Sequence, residues 1–242
     1  MGLNLTKNYS INFSLPKRGK NLIKFIIIHY TGMKIESEAI KKLCNSKSKV
    51  SSHYFIKNNG SVINLVPDLY EAWHAGKSDW KNFKYLNKYS IGIEINNPGH
   101  DHGYRKFSSK QISSLQKLLK YLIKTYNINY KNILGHSDIA PNRKKDPGEK
   151  FPWKEFARVK LAKWHNLNEK KIKKLRLFKL NLIKEKIFLK NLSKIGYNTN
   201  NPYNNIKNKY IIKAFQRRYR SSLVNGFSDE ECLLISKNLL KS

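Results

Sequence analysis

Two histidines, His29 and His136, each close a short apolar run at the point where a loop begins. Strand ends that open into loops are where α/β folds place ligands. A carboxylate follows in the rigid polar turn Lys144-Lys145-Asp146-Pro147-Gly148. Two imidazoles and the Asp146 carboxylate suffice for a Zn²⁺ site with an open fourth position. Zinc there would hold a water, lower its pKa to about 7 and polarise a carbonyl. Ligands drawn from distant segments leave no local signature, so spacing alone keeps open the ordinary alternative of hydrogen-bonded structural histidines. Glu94 is the one acid in the apolar run Ile91-Gly92-Ile93-Glu94-Ile95. A carboxylate there must meet a polar partner or bear a heavy desolvation cost. It is either a general base whose pKa burial raises, or a strand-end side chain turned to solvent. Lys144 stands two residues before Asp146. It is placed to stabilise an oxyanion beside a metal, or it is one more surface charge in a lysine-rich chain.

The elements that must position these groups are legible in outline. The β-branched run at 25–28 predicts a buried strand that delivers His29. Residues 53–57, Asn58-Asn59-Gly60 and 61–66 read as strand, tight turn and strand. A further strand at 90–95 carries Glu94, and a short one at 133–135 ends at His136. Ser37 opens a short helix that runs to Leu43. The clearest helix covers 108–126: Ser108 and Gln111 form a capping box, and Ile112, Leu115, Leu118, Leu119, Leu122 and Ile123 form one apolar stripe. A loop at 141–152 and a closing helix at 153–164 follow. The Lys- and Leu-rich stretch beyond reads as solvated helix faces and a connector. Two more helices, 206–219 and one opening at Ser228-Asp229-Glu230-Glu231, end the chain. The class is α/β with a small helical tail. The expected division is a domain at 1–160, a basic connector at 161–188 and a small three-helix domain at 189–242.

The 242 residues carry 48 Lys plus Arg against 16 Asp plus Glu, a net charge of +32. With 40% hydrophobic residues the chain is long and apolar enough to bury a core, which excludes wholesale disorder. The two cysteines, Cys44 and Cys232, are too few for a disulfide framework or a Cys-rich zinc module. No apolar run approaches the roughly 18–20 residues of a membrane span. The charge is spread along the chain and draws polyanions in a salt-sensitive way. No Arg-rich arm or zinc finger accompanies it, so no specific nucleic-acid partner is expected.

Six blocks in order add a resemblance. They are His29-Tyr30-Thr31, Val50-Ser51-Ser52-His53-Tyr54, Ala72-Trp73-His74-Ala75-Gly76, Asn87 with Ser90-Ile91-Gly92-Ile93-Glu94, Gly135-His136-Ser137-Asp138-Ile139-Ala140-Pro141, and Lys144-Lys145-Asp146-Pro147-Gly148 with Phe151-Pro152-Trp153. Over roughly residues 22–156 the chain resembles the AmiD- and AmpD-like zinc-dependent N-acetylmuramoyl-L-alanine amidases of the amidase-2 family. The resemblance implies a mixed central β-sheet flanked by helices and a Zn²⁺ cofactor on His29, His136 and Asp146. It implies Glu94 as the base, Lys144 as the oxyanion stabiliser, and hydrolysis of the amide between N-acetylmuramic acid and L-alanine in peptidoglycan or muropeptides. His53, Tyr54, Trp73, His74 and Asn87 then stand as substrate-binding cleft residues. Trp80 is either a second flat face for substrate or core packing. The tail, through Ile195-Gly196-Tyr197, Ala214-Phe215-Gln216-Arg217-Arg218-Tyr219-Arg220 and Asn225-Gly226-Phe227-Ser228-Asp229, resembles a small peptidoglycan-binding domain. A monomer is expected. The front of the sequence shows no lipoprotein signal, so the cytoplasm is the expected compartment, with the periplasm or outer membrane as the alternative. A wall-recognition protein without turnover and a general polyanion binder are the rival readings of function.

Overall fold

Six short strands make one sheet in the computed structural model, which describes residues 5–7, 9–199 and 205–241. They are β1 (Leu5–Lys7), β2 (Phe25–Tyr30), β3 (Tyr54–Ile56), β4 (Val62–Asn64), β5 (Ser90–Ile95) and β6 (Ile133–Gly135), in the spatial order β1-β4-β3-β5-β2-β6. The β3–β4 hairpin is antiparallel and the other neighbours are parallel, so the sheet is mixed. The hairpin turns at Asn58-Asn59-Gly60, where Gly60 takes φ +86°.

Alternation along β2 sends its side chains to two different cores. A short helix, α1 (Glu36–Cys44), follows β2. Ile26 and Ile28 join Ile91, Ile93 and Ile95 under α2 (Ser109–Tyr126), which buries Leu115, Leu118, Leu119 and Leu122. The expected capping box of α2 is present: Ser108 Oγ accepts from the Gln111 N–H at 3.2 Å, and Gln111 Oε1 accepts from the Ser108 N–H at 3.0 Å. Phe25 and Ile27 point the other way, into a core shared with Leu134 and with Phe188, Leu192 and Phe215 of the tail. The tail helices therefore cover the second face of the sheet.

Several boundaries differ from the sequence reading, most of all in the second half of the chain. The closing helix Trp153–Arg158 stops after six residues, because Lys160 turns to φ +56° and the Leu161 N–H bonds back to Phe156. A helix over Leu182–Ile195 passes straight through the position 188/189 expected to open the tail domain. Only its later turns bury an apolar stripe, Phe188, Leu189, Leu192 and Ile195, while Leu182 and Ile183 are exposed, so its first half reads as connector. Leu161, Ala162 and Ile172 of the expected connector are also buried. The last two helices, Asn205–Tyr219 and Glu230–Lys241, lie where expected; the second is capped by Asp229, whose Oδ1 accepts from the Cys232 N–H at 2.9 Å. Trp80 is core rather than cleft: it is 3% exposed and packs edge-on to Tyr197 at 4.9 Å. A Cβ at Gly196 would run into its indole. Among the described residues no helix is long and apolar enough to cross a membrane.

Candidate active site

The strand register brings the chemistry to one level. In the parallel pair β2–β5, His29 lies beside Glu94. In the parallel pair β2–β6, Gly135 lies beside Ile28, so His136, one residue on, stands level with His29. All three sit at the carboxyl ends of parallel strands. The loop after His136 returns Asp146 to the same place, and the Ser137 N–H donates to the Asp146 carbonyl at 2.8 Å, tying the two segments together. His29 Nδ1 and His136 Nδ1 are 2.9 Å apart, and Asp146 Oδ2 lies 3.0 Å from each. All three side chains are buried.

The surrounding hydrogen bonds decide which ring nitrogens carry protons. His136 Nε2 faces the Ala75 carbonyl at 3.2 Å, a group that only accepts, so the proton is on Nε2 and Nδ1 is bare. The Ser90 hydroxyl donates to the Leu86 carbonyl at 2.5 Å and so accepts from His74 Nε2 at 3.3 Å. His74 Nδ1 is then bare and accepts from His29 Nε2 at 3.0 Å. His29 and His136 thus both turn a lone pair toward the Asp146 carboxylate. Three acceptors at this spacing repel one another unless a cation lies among them. Tetrahedral coordination by nitrogen and oxygen at zinc distances separates donors by about 3.3 Å, a few tenths from the spacing here. The donor set fits a zinc ion with one position open.

Electrostatics agree with that chemistry. Burial, and then the neighbouring His136, lower the His29 pKa to about 4. Burial and the adjacent His29 hold His74 well below the usual imidazole value. Both rings are neutral at pH 7, the form a metal ligand and its hydrogen-bonded support require. Burial alone would push the Asp146 carboxyl up, but His136 and His29 outweigh it and hold Asp146 well below the usual carboxylate range. Glu94 behaves in the opposite way: burial first, and then repulsion from Asp146, raise its pKa to about 8 against the pull of Lys144. Its Oε2 is enclosed and makes no hydrogen bond among the described residues.

A cleft of about 430 Å³ opens over this row, lined among others by His29, Glu94, His136, Lys144 and Asp146. Trp73 and His74 also line it. Trp73 is half-buried, with its indole N–H donating to Ser14 Oγ at 2.9 Å. The other three expected cleft residues stand behind the wall. His53 is fully buried, its Nδ1 accepting from the Gly92 N–H at 3.0 Å and its Nε2 facing the Tyr70 carbonyl at 3.0 Å. Tyr54 pairs with Ile93 and shares the core under α2. Asn87 Oδ1 accepts from the backbone N–H groups of His74 and Ala75 at 3.1 and 2.6 Å, holding the segment that carries His74. Gly92 leaves room for that ring, since a Cβ there would collide with it. The sequence reading missed Arg143, which lines the cleft and donates from Nε to the Lys77 carbonyl at 3.0 Å. In the basic triplet Arg143-Lys144-Lys145 nothing sets it apart.

Residues 18–149 match the family model Amidase_2, N-acetylmuramoyl-L-alanine amidase. The N-acetylmuramoyl-L-alanine amidase AmiD of Escherichia coli (strain K12) is 32% identical over 231 residues, 90% of this chain and 83% of AmiD. A solved structure of E. coli AmiD, in complex with the substrate anhydro-N-acetylmuramic acid-L-Ala-D-gamma-Glu-L-Lys, aligns with a TM-score of 0.80 at 31% identity, covering 91% of this chain and 89% of the other. AMPDH3 from Pseudomonas aeruginosa aligns at 0.79 with 28% identity over 94% of each chain. The matched segment contains His29, Glu94, His136, Lys144 and Asp146, and the similarity to AmiD continues through the tail. The chain belongs to the N-acetylmuramoyl-L-alanine amidase family.

Proposed function

We propose that this chain hydrolyses the amide bond between N-acetylmuramic acid and L-alanine in peptidoglycan or muropeptides, with His29, His136 and Asp146 holding Zn²⁺. The observation that carries the reading is the convergence of those three donors at about 3 Å beside an enclosed carboxyl, in a member of this family. When bound, zinc polarises the lactyl carbonyl and acidifies the attacking water. The protein residues do the rest. Glu94 takes a proton from the water and returns it to the departing alanine nitrogen. Lys144, on the cleft wall, donates to the oxyanion of the tetrahedral intermediate. Trp73 offers an apolar face to sugar or peptide. His74 fixes the tautomer and the orientation of His29.

Two solved relatives hold anhydromuramyl peptides, so both anhydro and reducing muropeptides belong in the assay. Incubation with each, followed by mass spectrometry, is expected to show the intact sugar and a peptide with a free L-alanine amino terminus. Cleavage elsewhere, or near-normal cleavage by Glu94→Ala, would overturn the reading. A wall-recognition protein without turnover predicts binding and no new amino terminus.

A further inference from the structure

We infer that the tail completes the metal site, with Arg218 and Tyr197 acting as positioning residues for His136 through Asp138. This rests on the metal reading above. The link begins with Asp138, two residues after His136 and 2% exposed. Its Oδ2 accepts from the Gly135 N–H at 2.8 Å and from Arg218 Nη1 at 2.6 Å. Its Oδ1 accepts from the Tyr197 hydroxyl at 2.7 Å. Arg218 also donates from Nη2 to the Ile133 carbonyl at 3.0 Å, and its guanidinium lies 4.1 Å from the centre of the Trp153 ring. The Arg218 and Asp138 side chains are 2% and 1% exposed.

The tail therefore grips both sides of His136: β6 before it, through Ile133 and Gly135, and the turn after it, through Asp138. That turn is a four-residue helix, His136–Ile139, far below the length at which a helix holds itself, so its place is set from outside. Little slack exists around it. A Cβ at Gly135 would press on Pro147 and Trp153. The Ser137 N–H bond to the Asp146 carbonyl passes any shift on to the second ligand. A buried carboxylate that loses its cationic partner must move toward water or another donor. Here either movement drags His136 and Asp146 out of register with His29. A separable wall-binding module would have no reason to bury an arginine under the metal loop or to share one apolar core with the sheet face toward which β2 directs Phe25 and Ile27.

The test uses the full chain with Arg218→Met, Arg218→Lys and Tyr197→Phe. Zinc affinity is read by chelator competition, the geometry of the site by the visible absorption of the cobalt-substituted protein, and turnover on a soluble muropeptide. Arg218→Met is expected to weaken zinc binding at least tenfold, shift the cobalt bands and lower kcat with KM little changed. Arg218→Lys restores part of each, and Tyr197→Phe shows the same changes more weakly. Should Arg218→Met fail to fold, Tyr197→Phe, which loses a single hydroxyl, decides. Folded variants with unaltered cobalt spectra and zinc affinity, whatever their melting temperatures, would overturn the inference and leave the metal reading standing. A wild-type chain that binds neither ion would overturn both.

Discussion

Glu94 and Asp146 show how one small site gives two carboxyls opposite proton affinities. Asp146 meets two imidazoles and stays ionised, while Glu94 meets none and is raised to about 8. Glu94→Gln keeps the shape and removes the proton acceptor, so kcat should fall at least about a thousandfold, within the range expected for a positioned general base. Zinc content, measured by atomic emission, should be unchanged. The same substitution has a second, opposite consequence for the metal-free protein. Below the ordinary pKa of 4.5 the Glu94 carboxyl is protonated both folded and unfolded, and the burial costs little. Between 4.5 and 8 only the unfolded chain ionises, so stability drains away as pH rises; above 8 the loss is complete. Chelated Glu94→Gln should therefore exceed chelated wild type by on the order of 5 kcal/mol at pH 9, the gap closing toward pH 4.5. Parallel urea-unfolding curves at the two pH values would contradict the assigned burial.

At the scale of elements, the site depends on register more than on any one contact. Pairing His29 with Glu94 across β2–β5, and Ile28 with Gly135 across β2–β6, lines up three side chains that are 42 to 107 positions apart in the chain. Each strand end was legible, because short β-branched runs stop at polar residues. The pairing of the strands was not legible, and spacing alone left the metal open; only the resemblance carried by the ordered family blocks implied one. His53, Tyr54 and Asn87 were read as cleft residues because they stand in those blocks. The structure shows them supporting the cleft from behind, a distinction set by strand alternation and backbone hydrogen bonds that a linear sequence hides. Gly92→Ala should displace His74 and weaken zinc retention in a dialysis assay, whereas Ser108→Ala, which removes only the α2 cap, should cost about 1 kcal/mol in urea unfolding and leave turnover per folded molecule intact. Equal zinc loss in both variants would refute this division between site and scaffold.

For the whole molecule, the tail and the charge are the features hardest to read in advance. Lysines interrupt the apolar stripe of the helix over Leu182–Ile195, and its buried partners lie on the far face of the sheet, so one continuous core read as two units and a connector. The net charge of +32 should make retention on isolated cell-wall sacculi fall steeply as salt rises from 50 to about 500 mM, while turnover of a small soluble muropeptide changes far less. Equal salt dependence of the two would place the charge in the active site rather than on the surface. In the proposed reaction, three donors from remote segments hold one divalent ion that hydrolysis needs. The most direct measurement is release of L-alanine amino termini from a defined muropeptide by protein stripped with chelator, then restored with one equivalent of zinc. The account predicts no cleavage when stripped, recovery at one ion per chain, and neither zinc uptake nor recovery for His29→Ala or His136→Ala. Full cleavage by the stripped protein, or stoichiometric zinc in both single variants, would contradict it.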